Sequence, residues 1–280
     1  TAKAAGAAEG VNTLASYLKS DVDLNIPVSK VKQEKTFAVI IANENYQEEV
    51  NVEFALNDGM AFREYCIKLL GIPESNLHIR KDATLNNMLA EINWMQNIAK
   101  AYGAETRFIF YYAGHGMPDE SNGTSYLLPV DGKSNILATG YSMSRLYAEL
   151  NGLNAACVTV LMDACFSGSK RGEGMLASAR GVALKAKAEA PKGNMLVMTA
   201  AQGSETAYPY KEKKHGLFTY FLLKKLQESK GKVTYGDLFD YVKTNVAQKS
   251  VVVNEKSQTP TIAVSGDLVS TWQGIRLNED

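Results

Sequence analysis

Cysteine, proline, long apolar runs and a charge imbalance are all missing or scarce in this chain, and each shortage removes a class of protein. Three cysteines in 280 residues are too few for a disulfide framework, and an odd number leaves at least one thiol free unless chains cross-link. Apolar runs such as Phe37–Ala42 and Phe108–Ala113 span six residues, against the ~20 needed to cross a bilayer as a helix. Lys plus Arg and Asp plus Glu number 30 each, so no global field recruits nucleic acid or an anionic membrane. Seven prolines and 22 glycines in a chain that is 45% hydrophobic exclude collagen-like, low-complexity and disordered classes. No internal repeat is visible. The length allows two domains, although α/β folds often fill ~250 residues as one. The first residue is Thr1 rather than Met. This leads to the expectation of an N-terminal piece removed by processing or truncation, and of a soluble protein exported from a bacterial cell.

What is present is an alternation. Thr1–Lys35 reads as an N-terminal extension with a weak helical pattern at Val11, Leu14, Ala15 and Leu18. Phe37–Ala42, Thr106–Tyr112, Cys157–Asp163 and Asn194–Ala200 read as strands, the first three as continuous apolar runs buried on both faces. Leu77–Arg80 and Ser125–Val130 are shorter extended pieces. Between them, Phe62, Tyr65, Cys66, Leu69 and Leu70 recur at helical spacing. So do Leu85, Met88, Leu89, Ile92 and Met95 behind a Thr84 cap, and Phe218, Phe221, Leu222 and Leu226. A shorter helix is expected over Ser142–Leu150. Thr234 and Asp237 resemble a capping box for a last helix, and Gln258–Val264 reads as an edge strand because Pro260 cannot donate to a ladder. Strands alternating with helices predict a mostly parallel sheet covered on both faces, with chemistry outside the carboxyl ends of its strands.

Two strands end in polar residues there. One runs Tyr111-Tyr112-Ala113-Gly114-His115-Gly116; the other runs Met162-Asp163-Ala164-Cys165-Phe166-Ser167-Gly168. A cysteine nucleophile needs a base or a lowered thiol pKa, and a histidine at a neighbouring strand end can supply the base. The glycines around His115 let backbone approach a substrate, and the Gly116 N–H can donate to an oxyanion. Cys66 and Cys157 read as buried structural thiols and His78 as structural. His215, in a polar stretch before a helix, is a rival base.

These paired motifs resemble the caspase-like clan of cysteine peptidases, particularly bacterial caspase-like proteins and metacaspases. The 50-residue separation of His115 and Cys165 matches the spacing in caspases. The resemblance covers about Thr36 to Val264, including Asn43–Tyr46, Ala55–Asp58, Tyr126–Asp131 and the stretch from His215 to Leu222. It implies an α/β three-layer sandwich around a sheet of about six strands. It also implies a peptidase with a Cys165–His115 dyad, an oxyanion hole made by the Gly116 and Cys165 amides, and a thioester acyl-enzyme. No third residue that orients His115 is identifiable.

The resemblance further divides residues 36–264 into a large segment 36–168, a basic linker 169–193 and a small segment 194–264, with a tail at 265–280. Asp163 replaces the glutamine of true caspases. Asp163-x-Cys165 is similar instead to metacaspases, clostripain and gingipains, which cut after Arg or Lys. In extended backbone, residues i and i+2 face one side, so the Asp163 carboxylate can pair with a P1 cation; the alternative is that it only hydrogen-bonds the turn. Gly203 occupies the place of a second metacaspase acid, leaving Glu205 as a substitute. In the family the linker is often cut on activation of the zymogen. Here Lys170, Arg171, Arg180, Lys185, Lys187 and Lys192 are candidate self-cleavage sites. Zinc held by Asp163, His115 and Cys165 lacks a fourth ligand, and Gly168–Gly174 lacks the Gly-Lys-Ser/Thr of a phosphate loop. No cofactor is implied. Some metacaspases are activated by calcium, to which Asp119-Glu120 or Glu48-Glu49 could lend oxygens, although no loop has calcium-ligand spacing. The expected partners are peptides or proteins with a basic P1 residue. The competing reading is an interaction module that keeps the fold without turnover.

Overall fold

A computed structural model describes residues 20–119, 124–164, 166, 191–203 and 205–278. The helical pattern expected near Val11–Leu18 and most of the 169–193 linker lie outside the described residues. Six strands form the central sheet in the order β11-β8-β7-β3-β1-β2. They are β1 (Thr36–Ala42), β2 (Leu77–Lys81), β3 (Arg107–Ala113), β7 (Cys157–Asp163), β8 (Met195–Thr199) and β11 (Thr261–Val264). All neighbours are parallel except β11, which runs antiparallel to β8 at the edge. Five helices follow from the expected patterns: α1 (Ala55–Lys68), α2 (Leu85–Tyr102), α3 (Met143–Asn151), α4 (Leu217–Ser229) and α5 (Tyr235–Asn254).

The strand period of two divides the core. Ala38, Ile40, Ile109, Tyr111 and Leu161 pack with α1, α4 and α5, whereas Val39, Ile41, Phe108, Phe110, Val158 and Val160 pack with α2 and α3. The result is the expected three-layer α/β sandwich. Helix α1 lies unusually close to the sheet, since a Cβ on Gly59 would stand 2.6 Å from the Ala42 Cβ. Small strands flank the main sheet: β4 (Gly116–Pro118), β5 (Ser125–Leu127) and β6 (Tyr141–Ser142) form one group, and β9 (Pro209–Tyr210) pairs with β10 (His215–Gly216).

Caps carry out what their side chains suggest. The Thr84 hydroxyl accepts from the Asn87 N–H at 3.2 Å and the Thr234 hydroxyl from the Asp237 N–H at 3.2 Å, each satisfying an otherwise unpaired first-turn donor. The segment just before the sheet is firmly docked. Val22 is buried, Tyr65 donates to its carbonyl at 2.7 Å, and Asp21 pairs with Lys213 and Lys224 at 2.9 and 3.0 Å. Burial works against the ionised Asp21, but the two lysines hold its carboxyl far below the usual range. Among the described residues no helix is long and apolar enough to cross a membrane.

Candidate active site

The parallel register places Ala113 opposite Asp163 at the carboxyl ends of β3 and β7, and the Gly114 N–H donates to the Asp163 carbonyl at 3.3 Å. His115 follows Ala113 by two residues and Cys165 follows Asp163 by two, so the two motifs leave the sheet from a matched level. Cys165 itself lies outside the described residues.

His115 is held at every polar point of its backbone. Its N–H donates to the Tyr46 hydroxyl at 2.7 Å, and its carbonyl accepts from the Tyr112 hydroxyl at 2.7 Å and the Leu128 N–H at 3.0 Å. The Tyr46 ring lies against the imidazole with centroids 4.6 Å apart. Both phenols are raised above the ordinary tyrosine range, chiefly by burial, and stay protonated donors. The close approach of the two hydroxyls requires Gly114, where a Cβ would meet both at 2.7 Å.

The imidazole has a fixed tautomer. Nε2 lies 2.7 Å from the Val50 carbonyl oxygen; a carbonyl can only accept, so Nε2 carries a proton, and in the neutral ring Nδ1 carries the basic lone pair. Val50 belongs to the 43–52 loop. That loop is pinned where the Glu44 and Asn45 amides donate to Asp82, the Gln47 N–H to the Val130 carbonyl, and the Val52 N–H to the Glu44 carbonyl. Asp82 is partly buried, which opposes its charge, yet the bonds from Asn45 and Glu44 keep its carboxyl below the usual range. A main-chain carbonyl therefore orients His115, a part no side-chain pattern could reveal.

Gly116 opens β4 opposite Leu127, and the ladder bond beside this pair runs from the Leu128 N–H to the His115 carbonyl. In such a pair the two facing residues turn their amides away from each other, so the Gly116 N–H points out of the β4–β5 ladder.

Asp163 is fully buried on the α1/α4 face, and its Oδ2 accepts from the Thr219 N–H at 3.2 Å and the Thr219 hydroxyl at 2.7 Å. Glu205 accepts from the Thr259 N–H and hydroxyl at 2.5 and 3.1 Å and tethers the residues before β11. Lys192 is exposed just before β8, whereas Lys170, Arg171, Arg180, Lys185 and Lys187 lie outside the described residues. Glu49 accepts from Ser134 and Glu48 pairs with Lys133. Among the described residues no three His, Cys, Asp or Glu side chains could share a metal ion.

His215 corrects the reading of it as a base in a polar stretch. It is fully buried, with Nδ1 2.8 Å from Asp58 Oδ1 and Nε2 3.2 Å from Asp23 Oδ1, the latter an ion pair rather than an aligned hydrogen bond. Burial alone would lower its pKa, but the two carboxylates raise it to about 9, so near neutrality it is a cation with no lone pair to offer. Cys66 and Cys157 are buried, as expected, and burial pushes the Cys66 thiol up.

The chain is similar in structure to protein GSU0716 from Geobacter sulfurreducens, with a TM-score of 0.61 and 18% identity over 82% of this chain and 93% of that one. It is also similar to caspase-1 from Spodoptera frugiperda, with a TM-score of 0.58 and 13% identity over 87% and 92% of the two chains. At such identities the likeness is one of fold. No curated protein matches the sequence. The caspase domain model of peptidase family C14 matches residues 35–267, which takes in every strand of the central sheet and both strand-end motifs, and the chain therefore belongs to the caspase-domain family of peptidases.

Proposed function

We propose that the protein is a cysteine endopeptidase that cuts after Arg or Lys. The observation that carries this reading is the orientation of His115, whose Nε2 is engaged by the Val50 carbonyl and whose Nδ1 is left as the base. In the reaction, the Cys165 thiol gives its proton to Nδ1 and its sulfur attacks the scissile carbonyl carbon. The oxyanion so formed is met by the Gly116 and Cys165 amides. Collapse of the intermediate breaks the C–N bond, and the imidazolium returns the proton to the leaving amine. A thioester remains on Cys165, and water activated by the same Nδ1 hydrolyses it.

The basic P1 preference rests on Asp163. Its carboxylate sits at the end of the strand that leads to Cys165, away from bulk water. A guanidinium or ammonium pairs with such an anion through charge-assisted hydrogen bonds. Glu205, the substitute for a second acid, accepts from Thr259, and we take Asp163 as the principal acid facing P1, which favours weak discrimination between Arg and Lys.

Matched fluorogenic peptides with Arg, Lys or Asp at P1 test the proposal. Cleavage after Arg and Lys that vanishes in Cys165→Ala is expected. Cleavage after Asp would refute the role of Asp163, and no cleavage at all would turn the molecule into an interaction module. Self-cleavage in the 169–193 linker belongs to the same proposal, and Lys192 is an exposed candidate. Intact masses of wild type and Cys165→Ala that stay identical and uncut after incubation would sink it.

A further inference from the structure

Helix α4 is an unusual partner for the end of β7. The amides at its start are bonded by groups from α1, from β7 and from the residue before β9. The Gly216 N–H donates to both oxygens of Asp58 at 3.1 and 3.0 Å, the Leu217 N–H to the Tyr208 carbonyl at 3.0 Å, and the Thr219 N–H to Asp163 Oδ2 at 3.2 Å. The partial positive charge of a helix N-terminus favours the two carboxylates. The amides would serve there whatever residue stood at position 219. The hydroxyl is a separate matter.

Thr219 is fully buried in a helix turn otherwise made of Leu217, Phe218 and Tyr220. A hydroxyl in that setting needs a reason. It lies 2.7 Å from Asp163 Oδ2 and 2.7 Å from the Tyr111 hydroxyl. An ionised carboxylate only accepts, so the Thr219 proton points to Asp163 and Tyr111 must donate to Thr219. The direction of the chain is thereby fixed: Tyr111 to Thr219 to Asp163. Each bond polarises the next. Tyr111 is itself buried in β3 and stacked on Phe62 with ring centroids 4.6 Å apart. Two donors from one residue converge on a single carboxylate oxygen, which sets the rotation of the whole group.

We propose that Thr219 is a positioning residue for specificity: its hydroxyl, aimed by Tyr111, holds the Asp163 carboxylate in the orientation that receives the P1 cation. The inference rests on the reading of Asp163 as the P1-binding acid, and the test separates the two. Steady-state kinetics are measured on peptides that differ only in Arg or norleucine at P1, for wild type, Thr219→Val, Thr219→Ser, Tyr111→Phe and Asp163→Asn.

Thr219→Val keeps the shape and the N–H and loses one bond to a charged group. KM for the Arg peptide should rise about tenfold with kcat within about twofold, and the Arg-over-norleucine ratio should fall by the same factor. Thr219→Ser should restore both KM and the ratio. Tyr111→Phe should move them in the same direction by about threefold, and it carries the test should Thr219→Val not fold. If Asp163→Asn keeps the preference for Arg, the underlying reading of Asp163 fails. If Asp163→Asn loses it while Thr219→Val and Tyr111→Phe keep the wild-type ratio, only the role of Thr219 is overturned. A fall in kcat/KM common to both peptides would assign Thr219 to structure and overturn it equally.

Discussion

The chain contains two buried His-Gly pairs, His115-Gly116 and His215-Gly216, and their surroundings give them opposite properties. His115 meets a main-chain carbonyl and a tilted tyrosine ring. His215 meets two carboxylates, Asp58 and Asp23. A carbonyl oxygen fixes which nitrogen holds the proton and adds no full charge, so in the neutral ring the other nitrogen carries the basic lone pair. Two carboxylates instead hold the proton in place and make the ring a fixed cation. Under the proposed function the same dipeptide serves chemistry at the end of β3 and architecture at the start of α4, and the distinction lies in the acceptors rather than in the histidine.

The strongest way to break this comparison is to exchange the consequences of losing each ring. His115→Asn should lower kcat/KM by at least ~10³-fold with an unfolding midpoint close to wild type, whereas His215→Gln should keep turnover per folded molecule. Equal losses of activity in both, measured on matched peptides at matched folded concentration, would erase the distinction.

Stability should show the reverse order. His215→Gln leaves Asp58, which is fully buried, without its cation, and breaking such a pair costs about 3–5 kcal/mol. Urea unfolding should record this as a lowered midpoint with an unchanged slope. A midpoint within experimental error of wild type would mean that the Asp23–His215–Asp58 array contributes nothing net.

The pH dependence sharpens the same point. The folded value of His215, about 9, lies above the unfolded value of roughly 6.5. The native state therefore binds its proton more tightly, and the stabilisation is complete below about pH 6.5 and lost as pH rises through about 9. The loss is on the order of 3 kcal/mol. Urea midpoints from pH 6 to 10 should fall for wild type and stay much flatter for His215→Gln. Parallel curves for the two proteins would rule out His215 as the titrating group.

The smallest effect concerns the support of His115. Tyr46→Phe keeps the ring against the imidazole and removes the hydroxyl that accepts from the His115 N–H. That bond is lost together with those the hydroxyl makes to the Leu128 carbonyl and the Tyr112 hydroxyl, so kcat should fall about fivefold with KM unchanged. Tyr46→Leu, which also removes the ring, should lose more. Equal effects of the two variants would show that the hydroxyl alone matters.

The sequence announced the parts of the fold whose residues speak for themselves. β1, β3 and β7 are continuous apolar runs and sit at the centre of the sheet, where both faces are covered. Thr84 and Thr234 cap helices because a hydroxyl at that place has an amide to bind. The expected last strand, Gln258–Val264, begins only at Thr261. Gln258 is buried with its side-chain amide bonded to the Tyr208 N–H and the Ala200 carbonyl, so a side chain does there what a ladder would have done. His115 and Asp163 were legible because each stands at the carboxyl end of a buried apolar strand, where a polar side chain contrasts with the run before it and a parallel sheet opens to ligands. The Val50 carbonyl was not, since every residue has one. The Asp58–His215 pair is 157 residues apart in the chain, and Thr219 lies within an apolar helical run. Their partners are set by how α1, α4 and β7 pack, and no local pattern records that.

In the proposed reaction a basic nitrogen on His115 serves the thiol of Cys165, so covalent labelling of that thiol depends on His115. Wild type, His115→Asn and His215→Gln are treated with an arginine-bearing, thiol-directed acyloxymethyl ketone, and the adduct is located by peptide mapping. Labelling of Cys165 in wild type and His215→Gln, and its loss in His115→Asn, is the predicted result. Undiminished labelling in His115→Asn, or its loss in folded His215→Gln, would refute the division of roles between the two histidines.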